Sequence, residues 1–257
     1  MRARTALSVK LCPMRRDQPR TILYPLWRLA LCCWLLGACL TAQAAPFEDS
    51  MAQRTLACAG CHGPQGRSGP DGYYPRLAGK PAGYLYNQLV NLQQGRRTYP
   101  LMQSLLAPLD DAYLRTLADY FSGLNVPYPP PALQATDKAL LARGLQLVRQ
   151  GDPALQIPAC VQCHGTALTG VQPSVPGLLG LPRDYLNAQL GGWQNGQRQA
   201  QAPDCMADIA KRLSQADVHA LSSWLSSQTV PLASRAAAQK PPLANGAKEI
   251  RCGSAPW

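Results

Sequence analysis

The chain has 257 residues, with 25 Lys and Arg against 14 Asp and Glu and a formal net charge of +11. The excess does not mark a nucleic-acid binder: seven basic residues and one acidic residue fall before Ala45, the remainder carries +5, and no basic run or basic–aromatic interleaving follows. What is left is lopsided, +1 over residues 45–134 and +4 over 135–257, which reads as solvated surface.

Residues 1–44 read as a signal peptide. A basic stretch ends at Arg28, twelve uncharged and mostly apolar residues run from Leu29 to Leu40, and Ala42-Gln43-Ala44 supplies an A-x-A cleavage signal. The apolar run falls short of the about 20 residues of a membrane span, and Met14 is an alternative start. Leu36-Gly37-Ala38-Cys39 also fits a lipoprotein cleavage box, so a lipid anchor at Cys39 is the rival reading. Both readings export the chain, and the expected compartment is a bacterial periplasm, with or without membrane association. Cys12, Cys32, Cys33 and Cys39 belong to this leader.

A first unit spans 45–124. A helix over about 49–58 leads into Cys58-Ala59-Gly60-Cys61-His62. The pattern C-x-x-C-H is the attachment site of a c-type haem. Thiols three residues apart share a helical turn and can straddle one porphyrin edge as thioethers, and the histidine that follows is carried under the iron. A Gly/Pro-rich loop covers 63–72. Pro75 lies 13 residues after His62, where its carbonyl can accept the Nδ1–H and leave Nε2 to the metal. Next come a helix over 81–94 with proline at its start and glycine at its end, Arg97, Met102, and a helix over 110–124. Asp110 is the expected N-cap, and Leu114, Leu117, Phe121 and Leu124 fall on one face.

Residues 125–134, with Val126-Pro127-Tyr128-Pro129-Pro130-Pro131, form a Pro-rich linker expected to act as a semi-rigid spacer. A second unit over 135–230 repeats the order. A helix over 137–150 precedes Cys160-Val161-Gln162-Cys163-His164, and Pro176 lies 12 residues after His164. A helix over 182–194, Arg198, Met206 and a closing helix over 214–227 follow, with Ser214 as N-cap and Val218, Leu221 and Leu225 on one face. Residues 231–257, rich in Ala, Pro and Lys and without periodicity, read as a disordered tail. Cys205 and Cys252 are left over, either as one disulfide or as two free thiols.

The two units align residue by residue. Tyr84-Leu85-x-x-Gln88-Leu89 answers to Tyr185-Leu186-x-x-Gln189-Leu190 and Arg97 to Arg198 at an offset of 101, and Met102 to Met206 at 104. No alternating strand pattern occurs, so the fold is mainly α. Each unit is small for a purely protein core, and a haem plate completes it. A zinc or dithiol reading of C-x-x-C is disfavoured because the pairs lie 102 residues apart and each carries its own histidine. Met102 and Met206, at matched places in a methionine-poor chain, are the candidate second axial ligands of His62 and His164. Met51 reads as packing and His219 as a surface residue; Arg97 and Arg198 read as exposed, with pairing to propionates or partners as the alternative.

With both C-x-x-C-H-G sequences, the Pro-x-Leu-x-Gly and Tyr-Leu-x-x-Gln-Leu segments and the two methionines on the page, the stretch 49–229 resembles a di-haem class I cytochrome c of the cytochrome c4 type. The resemblance implies two tandem cytochrome c domains about a pseudo-two-fold axis, with haem propionates approaching across the interface. It also implies electron delivery to a terminal oxidase or another respiratory partner, with no substrate chemistry. Gly165-Thr166-Ala167-Leu168, in place of a glycine-rich continuation like Gly63-Pro64-Gln65-Gly66, departs from the pattern. Two other functions stay open: an electron-accepting subunit of a flavoprotein or other dehydrogenase, and a di-haem enzyme of the peroxidase or thiosulfate-oxidising type. The thiosulfate-oxidising reading rests on Cys205 as an iron ligand.

Overall fold

The computed structural model describes Trp34 and residues 48–69, 72–131, 137–232, 234–242 and 250–255. The expected signal peptide over 1–44, with its rival anchor at Cys39, lies outside the described residues apart from Trp34. In the first half the helices are α1 (Met51–Arg54), α2 (Leu56–His62), α3 (Ala82–Gln93), α4 (Pro100–Leu106) and α5 (Asp111–Gly123). In the second half they are α6 (Lys138–Arg149), α7 (Val161–His164), α8 (Arg183–Gln194), α9 (Cys205–Ala210) and α10 (Gln215–Ser227). The described residues are therefore mainly helical, as the patterning predicts.

Side chains at the helix starts fix these boundaries. Asp110 accepts from the Tyr113 amide at 2.7 Å, and Ser214 accepts from the Asp217 amide at 3.1 Å within a capping box. The helix expected over 49–58 is two helices, broken at Thr55, and the second carries the first C-x-x-C-H motif itself. The Thr55 hydroxyl donates back to the Met51 carbonyl at 2.7 Å, a bond that competes with helix continuation.

One short hairpin, β1 (Gly170–Val171) with β2 (Val175–Pro176), is present beside the helices of this mainly α fold. Two-residue strands leave no alternation to read in a sequence. The hairpin follows the segment 166–168, which answers to a 3-10 turn in the first unit, Pro64–Gly66. Both loops nonetheless close with one equivalent bond, Leu77 amide to Gly66 carbonyl at 2.8 Å and Leu178 amide to Leu168 carbonyl at 2.9 Å.

The first unit buries two small clusters between α3, α4 and α5: Leu85, Ala118 and Phe121, and Leu92, Leu106 and Leu114. The second builds one larger core around Leu147, Leu168, Leu186 and Leu221. There α6 crosses α10 so closely that a Cβ on Gly144 would stand 2.3 Å from the Ala220 carbonyl oxygen, so the crossing requires glycine.

The described part of the Pro-rich linker is clamped as well as stiff. The Arg76 guanidinium, 4% exposed, donates to the Val126 and Pro127 carbonyls and lies 3.8 Å over the Tyr128 ring. The tail over 231–257 differs from the expectation of disorder in its described parts. Ala237 bonds to Gly170 and Gln172 of the hairpin, and Cys252 forms a disulfide with Cys205. Main-chain pairing and a covalent bond order a segment whose composition carries no periodic signal.

Candidate haem sites

Each motif histidine is buried and held by one backbone carbonyl. His62 Nδ1 lies 2.8 Å from the Pro75 carbonyl oxygen, and His164 Nδ1 lies 2.7 Å from that of Pro176. A carbonyl only accepts, so Nδ1 carries the proton and Nε2 presents a lone pair. Burial pushes both imidazoles below their ordinary range, against the opposing pull of those carbonyls. The nearby cations Arg97, for His62, and Lys80, for His164, act in the same direction as burial. A neutral, oriented imidazole is the form that ligates iron.

The motif thiols are half-buried and unpaired. Burial raises Cys58 and Cys163 above the usual thiol range and pushes Cys160 up to about 12. Such thiols stay protonated, which disfavours thiolate coordination of a metal. No three His, Cys, Asp or Glu side chains converge on a metal position among the described residues, so the zinc reading has no geometry to support it.

In the second unit Cys160, Cys163, His164 and Met206 line one cavity. Its empty volume, open mouth included, is about 1520 Å³, and its lining is mostly apolar. In the first unit Cys58 packs on the Leu85–Phe121 cluster and Met102 on the Leu92–Leu114 cluster, and Tyr86 touches both.

The two methionine helices are held by one device, used twice. Gln93, at the end of α3, donates to the Leu106 and Leu109 carbonyls at 2.9 and 2.8 Å. Gln194, at the end of α8, donates to Ala210 and Leu213 at 3.0 and 2.9 Å. These bonds satisfy carbonyls at the ends of α4 and α9 and set where Met102 and Met206 stand.

Arg97 and Arg198 are not the exposed residues the sequence suggests. They face each other across an antiparallel bridge. Arg97 donates to Gln88 at 3.0 Å and to Gln189 of the other unit at 2.9 Å. Arg198 donates to Gln189 at 2.5 Å and to Gln88 of the other unit at 3.3 Å. Arg198 is 7% exposed, and burial, then Arg97, push its guanidinium down. Lys80, 6% exposed, lines the second cavity together with Arg198.

Among the described residues no carboxylate pairs with Lys80, Arg97 or Arg198. Trp193 Nε1, on the wall of the second cavity, is a buried donor with no partner. Buried cations and an orphaned donor fit a ligand that brings its own carboxylates, as haem does with its propionates. The sequence marked Gln88 and Gln189 only as repeat letters and gave no sign of Lys80. Their matched polarity inside otherwise apolar segments was the available signal.

Cys205 carries no thiolate to an iron, because it is bonded to Cys252. The thiosulfate-oxidising enzyme reading loses the one residue on which it rested.

No family model matches the chain. A thiosulfate dehydrogenase electron acceptor from Thiomonas intermedia is 35% identical over 201 residues, covering 78% of this chain and 91% of that one. A cytochrome c4 from Pseudomonas aeruginosa is 33% identical over 195 residues, covering 74% and 94%. Among solved structures, reduced recombinant cytochrome c4 from Pseudomonas stutzeri superposes with a TM-score of 0.57 at 31% identity, over 68% of this chain and 95% of that one. A thiosulfate dehydrogenase from Marichromatium purpuratum gives a TM-score of 0.61 at 31% identity, over 75% of this chain, which spans 40% of that longer protein.

Proposed function

We propose, from the premise that this chain belongs to the cytochrome c4 family of di-haem electron-transfer proteins, that it carries electrons between respiratory partners in the periplasm, toward a terminal oxidase. It is an electron-transfer protein with two covalently bound c-type haems in two tandem cytochrome c domains, and not a catalytic enzyme. In this reading residues 1–44 export the chain, 45–124 and 135–230 are the two haem domains, and 125–134 joins them. No helix among the described residues is long and apolar enough to cross a membrane.

Cys58 and Cys61 hold the first haem and Cys160 and Cys163 the second. His62 with Met102, and His164 with Met206, are the residues that would bind each iron. When bound, each haem supplies an iron that gains or loses one electron. The chain's own residues do the rest. The Pro75 and Pro176 carbonyls keep a proton on Nδ1 and aim each imidazole. Gln93 and Gln194 position the methionine helices, and Lys80, Arg97 and Arg198 receive propionate charge. A thioether ligand favours the ferrous state and raises the potential.

The observation that carries this reading is the repeated geometry: one histidine–carbonyl bond and one glutamine-anchored methionine helix in each unit. A redox titration of the holoprotein, followed by visible absorption, tests it. Two one-electron steps at positive potential are expected, with the methionine-to-ferric-iron band reporting both haems. A strongly negative step sinks the paired His/Met assignment.

A second reading is favoured by the Thiomonas relative, whose name makes it the electron acceptor of thiosulfate dehydrogenase. In that role the chain takes electrons from a dehydrogenase partner. Rapid reduction by such an enzyme with thiosulfate, faster than by an unrelated dehydrogenase, distinguishes it.

A further inference from the structure

The disulfide does more than order a tail. Residues 250–255 run as a strap across the second unit, and Ile250, Cys252, Ser254 and Ala255 line the cavity that holds Cys160, Cys163, His164 and Met206. The strap is fastened at several points. Cys252 is bonded to Cys205, the residue directly before Met206. The Gly253 amide donates to the Pro203 carbonyl at 2.9 Å. A Cβ at Gly253 would stand 2.2 Å from the Ala202 carbonyl oxygen, so the strap lies directly on the backbone that leads into α9. Ala255, 7% exposed, packs with Val171 and Val175 of the hairpin. Asn87, on α3 of the other unit, donates to the Ser254 carbonyl at 2.6 Å.

The first unit has no counterpart among the described residues. Leu101 stands at the place of Cys205, at the matched offset of 104, and is 52% exposed, and Leu105 on the same helix is 57% exposed. The offset between the units grows from 101 at Arg198 to 104 at Met206, so the second unit is longer in the segment where the strap rests.

We propose that the 250–255 strap, fastened by Cys205–Cys252 and by Asn87, is a positioning element that pins the Met206 segment and closes the second haem cavity to outside ligands. The proposal rests on the reading that Met206 ligates the second iron. Pulling Met206 away requires the backbone that carries it to move, and that backbone is tied at Pro203 and Cys205 to a strap that is itself held by the hairpin and by the other unit. The first haem, with α4 open to solvent, lacks this restraint.

Imidazole is the probe, added to the ferric holoprotein while loss of the methionine-to-iron band is followed. The second-haem phase is the one missing from Met206→Ala. Cys252→Ser is expected to speed that phase about tenfold and to leave the first-haem phase unchanged. Asn87→Ala, which keeps the disulfide, is expected to speed it severalfold, the loss of one hydrogen bond. An unchanged second-haem rate in Cys252→Ser overturns the proposal. Should that variant fail to load haem, Asn87→Ala decides: acceleration supports the strap and an unchanged rate overturns it. A wild-type protein whose second haem lacks the band overturns the Met206 assignment itself and the strap's role with it, an outcome visible before any variant is made.

Discussion

At the scale of single residues, the chain uses a few polar side chains to decide what apolar ones cannot. His62 and His164 differ from ordinary buried histidines in having one ring nitrogen committed to a carbonyl, which leaves the other free. Met102 and Met206 lie on helices whose C-terminal carbonyls are fixed by glutamines. Met206→Ala is therefore expected to keep its haem, because the thioethers and His164 remain, while the second centre becomes weak-field or water-bound. Visible spectra check this, and an unchanged methionine band for both haems refutes it. The two C-x-x-C-H motifs stood out in the sequence because covalent attachment demands a fixed spacing, and Met102 and Met206 stood out as candidates because methionine is scarce here. Arg97 and Arg198 were not legible. An arginine in a glycine-flanked turn reads as solvated, and contact with the partner turn of the other unit leaves Arg97 half-buried and Arg198 buried.

Among the elements, the second unit is tied by charge as well as by packing. Arg143 on α6 donates to Asp152 at 2.9 Å and to Asp217 of α10 at 2.8 Å. Arg143 holds the Asp152 carboxyl below its usual range. Burial alone would raise Asp217, but Arg143 and Ser214 outweigh it and the net shift is downward. Both carboxylates thus stabilise the fold above the ordinary aspartate range of about 3.9, and that stabilisation disappears as pH falls through their lowered values. Arg143→Met is expected to raise the midpoint of acid unfolding of the second unit by about one pH unit, read from circular dichroism of the holoprotein across an acid titration. Helix ends at Asp110 and Ser214 were readable because caps are local chemistry. The hairpin at 170–176 and the pairing of Ala237 with Gly170 and Gln172 were not, because their bonds join residues with no shared periodicity. The Cys205–Cys252 bond was half legible: two thiols were left over, but a 47-residue separation through a Pro/Ala-rich segment gives no sign of where the second returns. Closing a loop of that size is worth on the order of 4 kcal/mol, enough to order a segment with little apolar surface of its own.

For the whole molecule, the junction between the units determines how the two irons feel each other. Arg97 and Arg198 each reach Gln88 and Gln189, so each guanidinium lies between both units. A positive charge disfavours ferric iron relative to ferrous. Arg97→Gln should therefore lower both potentials, the first haem's more because Arg97 also acts on His62, by on the order of 1 kcal/mol or ~40 mV for a one-electron couple. Spectroelectrochemical titration measures this, and a fall at one haem alone contradicts the shared position. The duplication was legible from matched letters, but the mutual arrangement of the copies was not, since no residue in either copy reveals which face it turns to its twin.

The matched hydrogen bonds of that junction have a consequence for the direction of current. Bonds shared equally by two halves do not by themselves tell the electron which way to go. Any downhill slope from one iron to the other must come from what the copies do not share, and two such differences meet at the second cavity: the buried Lys80 cation, whose counterpart in the repeat is Leu181, and the fastened C-terminal flap.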